Sequence, residues 1–132
     1  MSKTLVQVNH PRRLPQTVQT LQRFGLFSHS HKIPAALTIA PYPSAKSSHI
    51  PRKVGRSIPT LLVPKSITPA KTLALIRKLG ASSPGPFFAA GKAGQINAAL
   101  FAAACLAPRN PKIRKALDSF RSRQTSSVPL CP

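Results

Sequence analysis

Four residues in the C-terminal half of the chain have the types and spacing to hold an anion. Gly91, Lys92, Ala93 and Gly94 stand between the short apolar run PFFAA and a long alanine-rich run, and Asn97 follows them. A glycine turn that leads into a helix presents backbone N–H groups and partial positive charge to a phosphate. The same turn also serves as a tight strand-to-helix connection that only needs the conformational freedom of glycine. A short glycine motif does not decide between these two interpretations.

The histidines do not indicate a metal centre. His29 and His31 form a His-x-His pair, but no acidic or thiolate residue that would complete a site is close in sequence. His10 and His49 stand alone beside prolines. We therefore predict loop histidines without a bound metal, and no cofactor.

The sequence contains neither a pair of carboxylates nor a Ser-His-Asp constellation for catalysis. Asp118 is the one acidic residue of the chain, so a pair of carboxylates cannot be built within it. We expect Asp118 to pair with Arg114, one helical turn earlier. Cys105 and Cys131 have no CxxC spacing; we predict a buried Cys105 in an apolar helix and a loose thiol at Cys131. The catalytic residues are unknown from the sequence.

The charge balance favours an anionic partner. The chain has 132 residues, with 20 Lys and Arg against one acid and a net charge of +19. This length suits one domain with a modest core, and this charge predicts nonspecific contact with nucleic acid. The cluster PRKVGR at residues 51–56 is either a phosphate contact or a solvated basic loop. The sequence lacks the interleaved basic and aromatic residues typical of RNA-binding modules.

Prolines divide the chain into two unlike parts. Because proline removes a backbone donor and restricts its neighbour, we predict that residues 1–85 are a basic Pro/Ser-rich region, largely irregular or disordered. Two short helices fit inside it: residues 14–25, ended by Gly25, and residues 68–80, begun by Thr68 and Pro69 and ended by Gly80. Their predicted buried residues are Leu14, Val18 and Leu21 in the first and Leu73, Ile76 and Leu79 in the second.

Residues 86–128 have a more regular pattern, and residues 129–132 form a tail. PFFAA predicts a short strand, GKAG a turn and residues 95–107 a helix. A second helix of about three turns is predicted to begin with Asn110 as N-cap and Pro111 at its first position. Its apolar face consists of Ile113, Leu117 and Phe120. No run approaches the roughly 18 apolar residues of a membrane helix, so we expect no membrane association.

The C-terminal segment resembles the end of a known enzyme family. The matching features are GKAG at 91–94, Asn97 followed by two alanines, the alanine-rich helix, and Phe-Arg-x-x-Gln-Thr at 120–125. These pieces, in this order and spacing, resemble the PurE family, which comprises the 5-(carboxyamino)imidazole ribonucleotide mutases and the related aminoimidazole ribonucleotide carboxylases of purine biosynthesis. The resemblance covers 38 residues, 91–128, with a weak extension back to Pro84.

The resemblance implies a fold, an activity and an assembly. It implies the last strand-turn-helix and terminal helix of a flavodoxin-like, doubly wound α/β fold, in a cytoplasmic homo-octamer. The implied reaction moves a carboxylate on aminoimidazole ribonucleotide without a cofactor in the mutase branch, as an isomerase or a lyase. By the same resemblance, Gly91, Lys92, Ala93, Gly94 and Asn97 form a turn beside the substrate.

The chain departs from the family in its N-terminal part. The family's Gly-Ser-x-Ser-Asp, Ser-Ala-His-Arg and Ala-Ala-His-Leu-Pro-Gly motifs are absent, and His10 in VNHPRRLPQ lacks the preceding Ser-Ala. One hypothesis is a truncated or frame-disrupted form, out of frame up to about Gly85, that lacks catalysis; a basic leader fused to a family-like tail is its rival. Two further interpretations stay open: a small basic nucleic-acid-binding or ribosome-associated protein, and an organelle-targeted leader on a helical tail.

Overall fold

The structure, a computed structural model, describes residues 5–28, 35–42, 58–65, 68–82 and 86–131. In these ranges the chain forms β1 (Leu5–Val8), α1 (Pro15–Arg23), β2 (Ala35–Tyr42), β3 (Thr60–Pro64), α2 (Pro69–Ser82), α3 (Lys92–Leu106) and α4 (Pro111–Ser126). Short 3₁₀ turns at Pro11–Arg13 and Ala107–Arg109 precede α1 and α4. The predicted His29–His31 pair, His49 and the PRKVGR cluster lie outside the described residues.

The sheet is parallel, and its strand order can be read from the pairing. β2 lies between β1 and β3. Single-residue bridges extend both sides, because Phe27 pairs in parallel with Val6 and Phe87 with Leu62. Val6 and Leu62 already pair with β2, so the two bridges lie on the outer sides of β1 and β3. In chain order the five extended segments are therefore arranged 2-1-3-4-5, the order of flavodoxin-like doubly wound sheets.

Helices cover both faces of this sheet. Leu61 and Val63 of β3 contact one cluster, whereas Leu62 between them contacts a second cluster with Tyr42 and Leu79. Neighbouring residues of a strand point to opposite faces, so α2 packs on the face opposite to the main core. The main core also holds buried residues of the other helices: Leu21 of α1, Ala98, Ala99, Ala102 and Ala103 of α3, and Ile113 and Leu117 of α4. The predicted α/β class is confirmed, and the sheet is compatible with part of a flavodoxin-like fold.

Two prolines of the part before residue 86 lie in strands. Pro41 lies inside β2 and Pro64 ends β3, and both are fully buried. Thr38 N–H donates to Pro59 O, and Asn9 N–H donates to Ile39 O. In β2 the backbone N–H and C=O groups of even-numbered residues therefore point toward β3, and those of odd-numbered residues point toward β1. Pro41 therefore faces the side of β1, beyond the last register pair of that strand. A strand tolerates proline where no neighbour needs its N–H.

Pro64 is placed by the same rule. Leu62 N–H donates to Pro86 O at 3.1 Å and Phe88 N–H donates to Leu62 O at 3.0 Å, so the even-numbered residues of β3 face the outer segment. That segment pairs with β3 at Leu62, two residues before Pro64. Both strand prolines thus occupy positions at which the described ladder requires no donor.

The predicted first residues of α1 and α2 are confirmed, whereas the predicted set of buried residues is partly wrong. α1 buries Leu14 and Leu21 and is followed by Gly25 at φ 66°. Thr68 begins α2, with its Oγ1 accepting from Lys71 N–H at 3.4 Å. Leu73, predicted to be buried on α2, is 51% exposed because the sheet contacts only the side that carries Leu79. α2 also continues past Gly80 to Ser82.

Two further predictions about the C-terminal helices are wrong. Cys105 is exposed, because α3 buries the alanines on its other side. Asp118 lies 4.0 Å from a guanidinium nitrogen of Arg121 rather than pairing with Arg114. Arg114 instead donates to the carbonyl oxygen of Pro108 at 3.2 Å, which draws its guanidinium toward the start of α4.

The N-cap of α4 provides a stability test. Asn110 Oδ1 accepts from the backbone N–H groups of Lys112 and Ile113 at 3.1 and 3.3 Å, as the sequence predicts. Replacing Asn110 with Ala removes both bonds, so we expect the free energy of unfolding to fall by about 1 kcal/mol in urea denaturation. Ser122→Ala, an exposed change on the same helix, should leave stability within about 0.5 kcal/mol of the parent. Equal effects of the two changes would contradict the capping role.

Candidate anion site at the carboxyl edge of the sheet

The strand order marks one place at which a ligand is expected. Open α/β sheets bind ligands outside the carboxyl ends of their strands, where the strand order reverses. In this chain the reversal lies between β1 and β2, because the chain passes from β1 outward to Phe27 and then back to β2. The described segments that leave this edge are residues 9–13 after β1, Lys65 after β3 and residues 89–92 after Phe87.

The N-termini of α1 and α3 meet at this edge. The backbone N–H of Gln16 donates to Gln95 Oε1 at 3.1 Å, and the hydroxyl of Thr17 donates to the carbonyl oxygen of Gln95 at 2.8 Å. Thr17 is fully buried, so the contact between the two helices is close. Neither helix has an acidic residue in its first turn. Two positive helix ends therefore lie together without a negative side chain to balance them.

Cationic side chains add to this positive potential. Arg12 and Arg13 lie in the 3₁₀ turn that follows β1. Lys65, directly after β3, reaches the same turn, because its Nζ donates to the carbonyl oxygen of Arg13 at 3.1 Å. Lys92 is exposed at the first position of α3. Backbone N–H groups and ammonium and guanidinium groups at one edge suit a phosphate or another small anion.

His10 has an unusual backbone conformation at the same edge. Its φ is 51° and its ψ is 61°, and it is the one non-glycine residue with positive φ in the described part of the chain. Its carbonyl oxygen accepts from Arg13 N–H at 2.9 Å, which fixes the turn. Left-handed residues other than glycine cluster at functional sites. The sequence treated His10 as a lone histidine, because the strand that places it here was not predicted.

The predicted glycine turn is the start of α3 itself. Gly91 is the N-cap residue, with φ 88° and ψ −165°, a region that is open essentially to glycine alone. Gly94 is buried in the first turn, where a Cβ would overlap the carbonyl oxygen of Ala89. Both glycines therefore have a structural requirement. Their role beside a substrate stays a prediction.

The other residues of the predicted turn face solvent. Lys92, Ala93 and Asn97 are exposed on α3. Gly91 and Lys92 reach the carboxyl edge, whereas Asn97 lies in the second turn of the helix, farther from it. Sequence analysis did not identify Arg12, Arg13 or Lys65 as site residues. These residues follow the carboxyl ends of β1 and β3, so they could have been found only if the two strands had been predicted.

Neither a metal-binding group nor a helix that could span a membrane is found within the described ranges. No three His, Cys, Asp or Glu residues come together there as a metal-binding group. In the same ranges, each helix is too short or too polar to cross a membrane.

Comparison with known proteins connects part of the chain to purine synthesis. The chain is 36% identical over 91 residues to the bifunctional purine synthesis protein purC/E of Dictyostelium discoideum, covering 65% of this chain and 9% of that protein. It is 36% identical over 74 residues to the N5-carboxyaminoimidazole ribonucleotide mutase of Pseudomonas aeruginosa, covering 54% of this chain and 45% of that protein. No protein-family model matches the chain. The chain spans less than half the length of either relative.

The similarity is longer than the sequence motifs indicated. The match to the mutase includes 54% of this chain, whereas only 42 residues follow Ala90. It must therefore extend upstream of Gly91, beyond the predicted segment of 38 residues. A PurE-like relationship is supported over part of the chain.

The close approach of Ala89 to α3 predicts the effect of a small substitution. Replacing Gly94 with Ala places a Cβ against backbone that cannot rotate away, so we expect a loss of about 2 kcal/mol or more in unfolding free energy. Gly80→Ala is the matched control, because a Cβ there meets no atom within 4 Å. This second change should stabilise α2 by up to about 1 kcal/mol, measured by the same chemical denaturation. A neutral Gly94→Ala would refute the packing account.

Proposed function

We propose that the chain is a PurE-like protein of purine biosynthesis that binds a phosphorylated imidazole ribonucleotide at the carboxyl edge of its sheet. The observation that carries this proposal is the meeting of the α1 and α3 N-termini, joined through Gln95, at the reversal of the strand order. The similarity to a protein named for N5-carboxyaminoimidazole ribonucleotide supports the substrate class. The same proposal includes the cytoplasmic homo-octamer that the resemblance implies.

The residues at the carboxyl edge have different roles in the proposed binding of phosphate. The N-terminus of α3 offers backbone N–H groups to the phosphate, and Gln95, which accepts from Gln16 N–H and the Thr17 hydroxyl, holds the start of α1 beside it. Arg12 and Lys92 supply exposed charge beside them, and Lys65 braces the turn of residues 11–13 through its bond to Arg13. The glycine conformation at Gly91 leaves this end of α3 without a capping side chain. A bound phosphate would take the place of that cap.

Carboxylate transfer is not part of the proposal. Moving a carboxylate between nitrogen and carbon requires groups that remove and deliver protons at the imidazole. Asp118, the one acid of the chain, lies exposed on α4 and pairs with Arg121, and His10 lies at the carboxyl edge without the Ser-Ala that precedes the family's histidine. The family's three N-terminal motifs are absent. We therefore propose a form that retains binding and lacks catalysis.

Titration calorimetry with aminoimidazole ribonucleotide tests the binding site. The parent chain should bind the ribonucleotide, and Arg12→Gln should weaken binding about five-fold or more, because it removes a charge-assisted contact. Arg109→Gln is the matched control, because it makes the same change of charge in the turn that follows the far end of α3. It should weaken binding less than about two-fold. Absence of binding, or equal losses in both variants, would overturn the site.

An assay of the same chain for carboxylate transfer tests the second half of the proposal. Incubation with N5-carboxyaminoimidazole ribonucleotide should give no 4-carboxy product above the uncatalysed rate. Turnover that is abolished by His10→Asn would show instead that His10 acts in catalysis. His10→Asn suits this purpose, because asparagine tolerates the left-handed conformation.

The encoding DNA tests the hypothesis of a disrupted reading frame. If the chain is out of frame before about Gly85, translation of the other two frames should reveal the three missing family motifs. Motifs found in neither frame would leave residues 1–85 as a genuine sequence. That outcome is favoured by the similarity upstream of Gly91.

A further inference from the structure

A cleft of about 400 Å³ lies between the C-terminal half of α1 and the middle of α4. Its aromatic surface consists of Phe24 and Phe120, both half-buried, with ring centroids 6.2 Å apart and ring planes at 60°. Arg23 and Arg123, one from each helix, line the cleft beside these rings. Polar side chains complete the lining, among them Ser119 and Gln124.

The two arginines have no anionic partner within the described part of the chain. The one carboxylate of the sequence, Asp118, pairs with Arg121 at 4.0 Å, and Arg121 does not line the cleft. Within the described residues no anion balances Arg23 and Arg123, so these guanidinium groups are available to an anionic partner. The net charge of +19 attracts polyanions to the whole surface, and in this cleft two guanidinium groups lie beside two half-exposed rings.

We propose that this cleft binds single-stranded nucleic acid, with one base stacked on the Phe24–Phe120 pair and its flanking phosphates held by Arg23 and Arg123. Base stacking on aromatic side chains within a cationic groove is the usual means of binding single strands without sequence preference. An acidic peptide would use the two arginines but would leave the rings without a partner. In a duplex the faces of the bases are already stacked on one another, so a duplex offers no free base face to the rings of the cleft.

The cleft is separate from the site at the carboxyl edge. Gln16 and Thr17 at the start of α1 face that edge, whereas Arg23 and Phe24 stand at the other end of the helix. The inference does not rest on the proposed ribonucleotide binding. Arg12→Gln, which tests that binding, should leave binding at the cleft within about two-fold of the parent.

Fluorescence anisotropy with a labelled oligouridylate of about 12 nucleotides tests the cleft in the full chain. Arg123→Gln should weaken binding about ten-fold and lower the dependence of affinity on salt by about one ion. Arg121→Gln is the matched control, because it makes the same change of charge on the same helix at a residue that does not line the cleft. It should weaken binding less than about two-fold. Both side chains are exposed, so both variants should keep the parent's circular dichroism and melting temperature.

Phe120→Leu separates stacking from charge. It keeps an apolar side chain against Phe24 and removes the ring, so we expect about five-fold weaker binding with an unchanged salt dependence. A duplex of equal length should bind less tightly than the single strand at equal salt. The proposal is overturned by equal losses in Arg123→Gln and Arg121→Gln, by parent-like binding of Phe120→Leu, or by tighter duplex binding. It is also overturned if a polyglutamate peptide binds in the same variant-dependent way.

Discussion

The close packing of α3 against α1 and the sheet is the constraint on which the rest of the structure depends. The buried side of α3 consists of glycine and alanine at Gly94, Ala98, Ala99, Ala102 and Ala103. Any larger side chain would push the helix outward, and at Gly94 even a methyl group overlaps Ala89. This short distance lets Gln95 accept from both Gln16 and Thr17 at the start of α1. The geometry of the candidate anion site is therefore a consequence of packing as much as of charge.

Electrostatic repulsion acts against this packing. A chain with 20 cationic side chains and one acid cannot neutralise itself, and self-repulsion destabilises a compact state. The core offsets this with aliphatic residues from both faces of the sheet. An anion bound to the folded chain but not to the unfolded one adds stability through mass action. Binding of an anion would therefore stabilise the fold as well as serve a function.

The sequence predicted helices better than strands, and the reason is physical. Caps such as Asn110 and the Thr68–Pro69 pair are local signals, because the groups they satisfy lie within one turn. Whether a proline breaks a strand depends instead on the neighbour it faces. Pro41 and Pro64 face positions without a described partner, which no local pattern reveals. The five-segment strand order, and with it the candidate anion site, could be recognised only from the strand pairing.

The same limit concealed the aromatic and basic cleft. Phe24 and Phe120 are far apart in the chain and meet only because α1 and α4 pack on one face of the sheet. Their neighbours Arg23 and Arg123 then form a pattern that the linear sequence does not contain. Anion binding and carboxylate transfer are two separate properties that require different chemical groups. Binding of anions needs backbone donors and cations, which the chain has in excess, whereas proton transfer by a pair of carboxylates cannot take place within a chain whose one acidic residue is Asp118. Anion binding and proton transfer therefore depend on different residues of the chain, and a substitution that affects one need not affect the other.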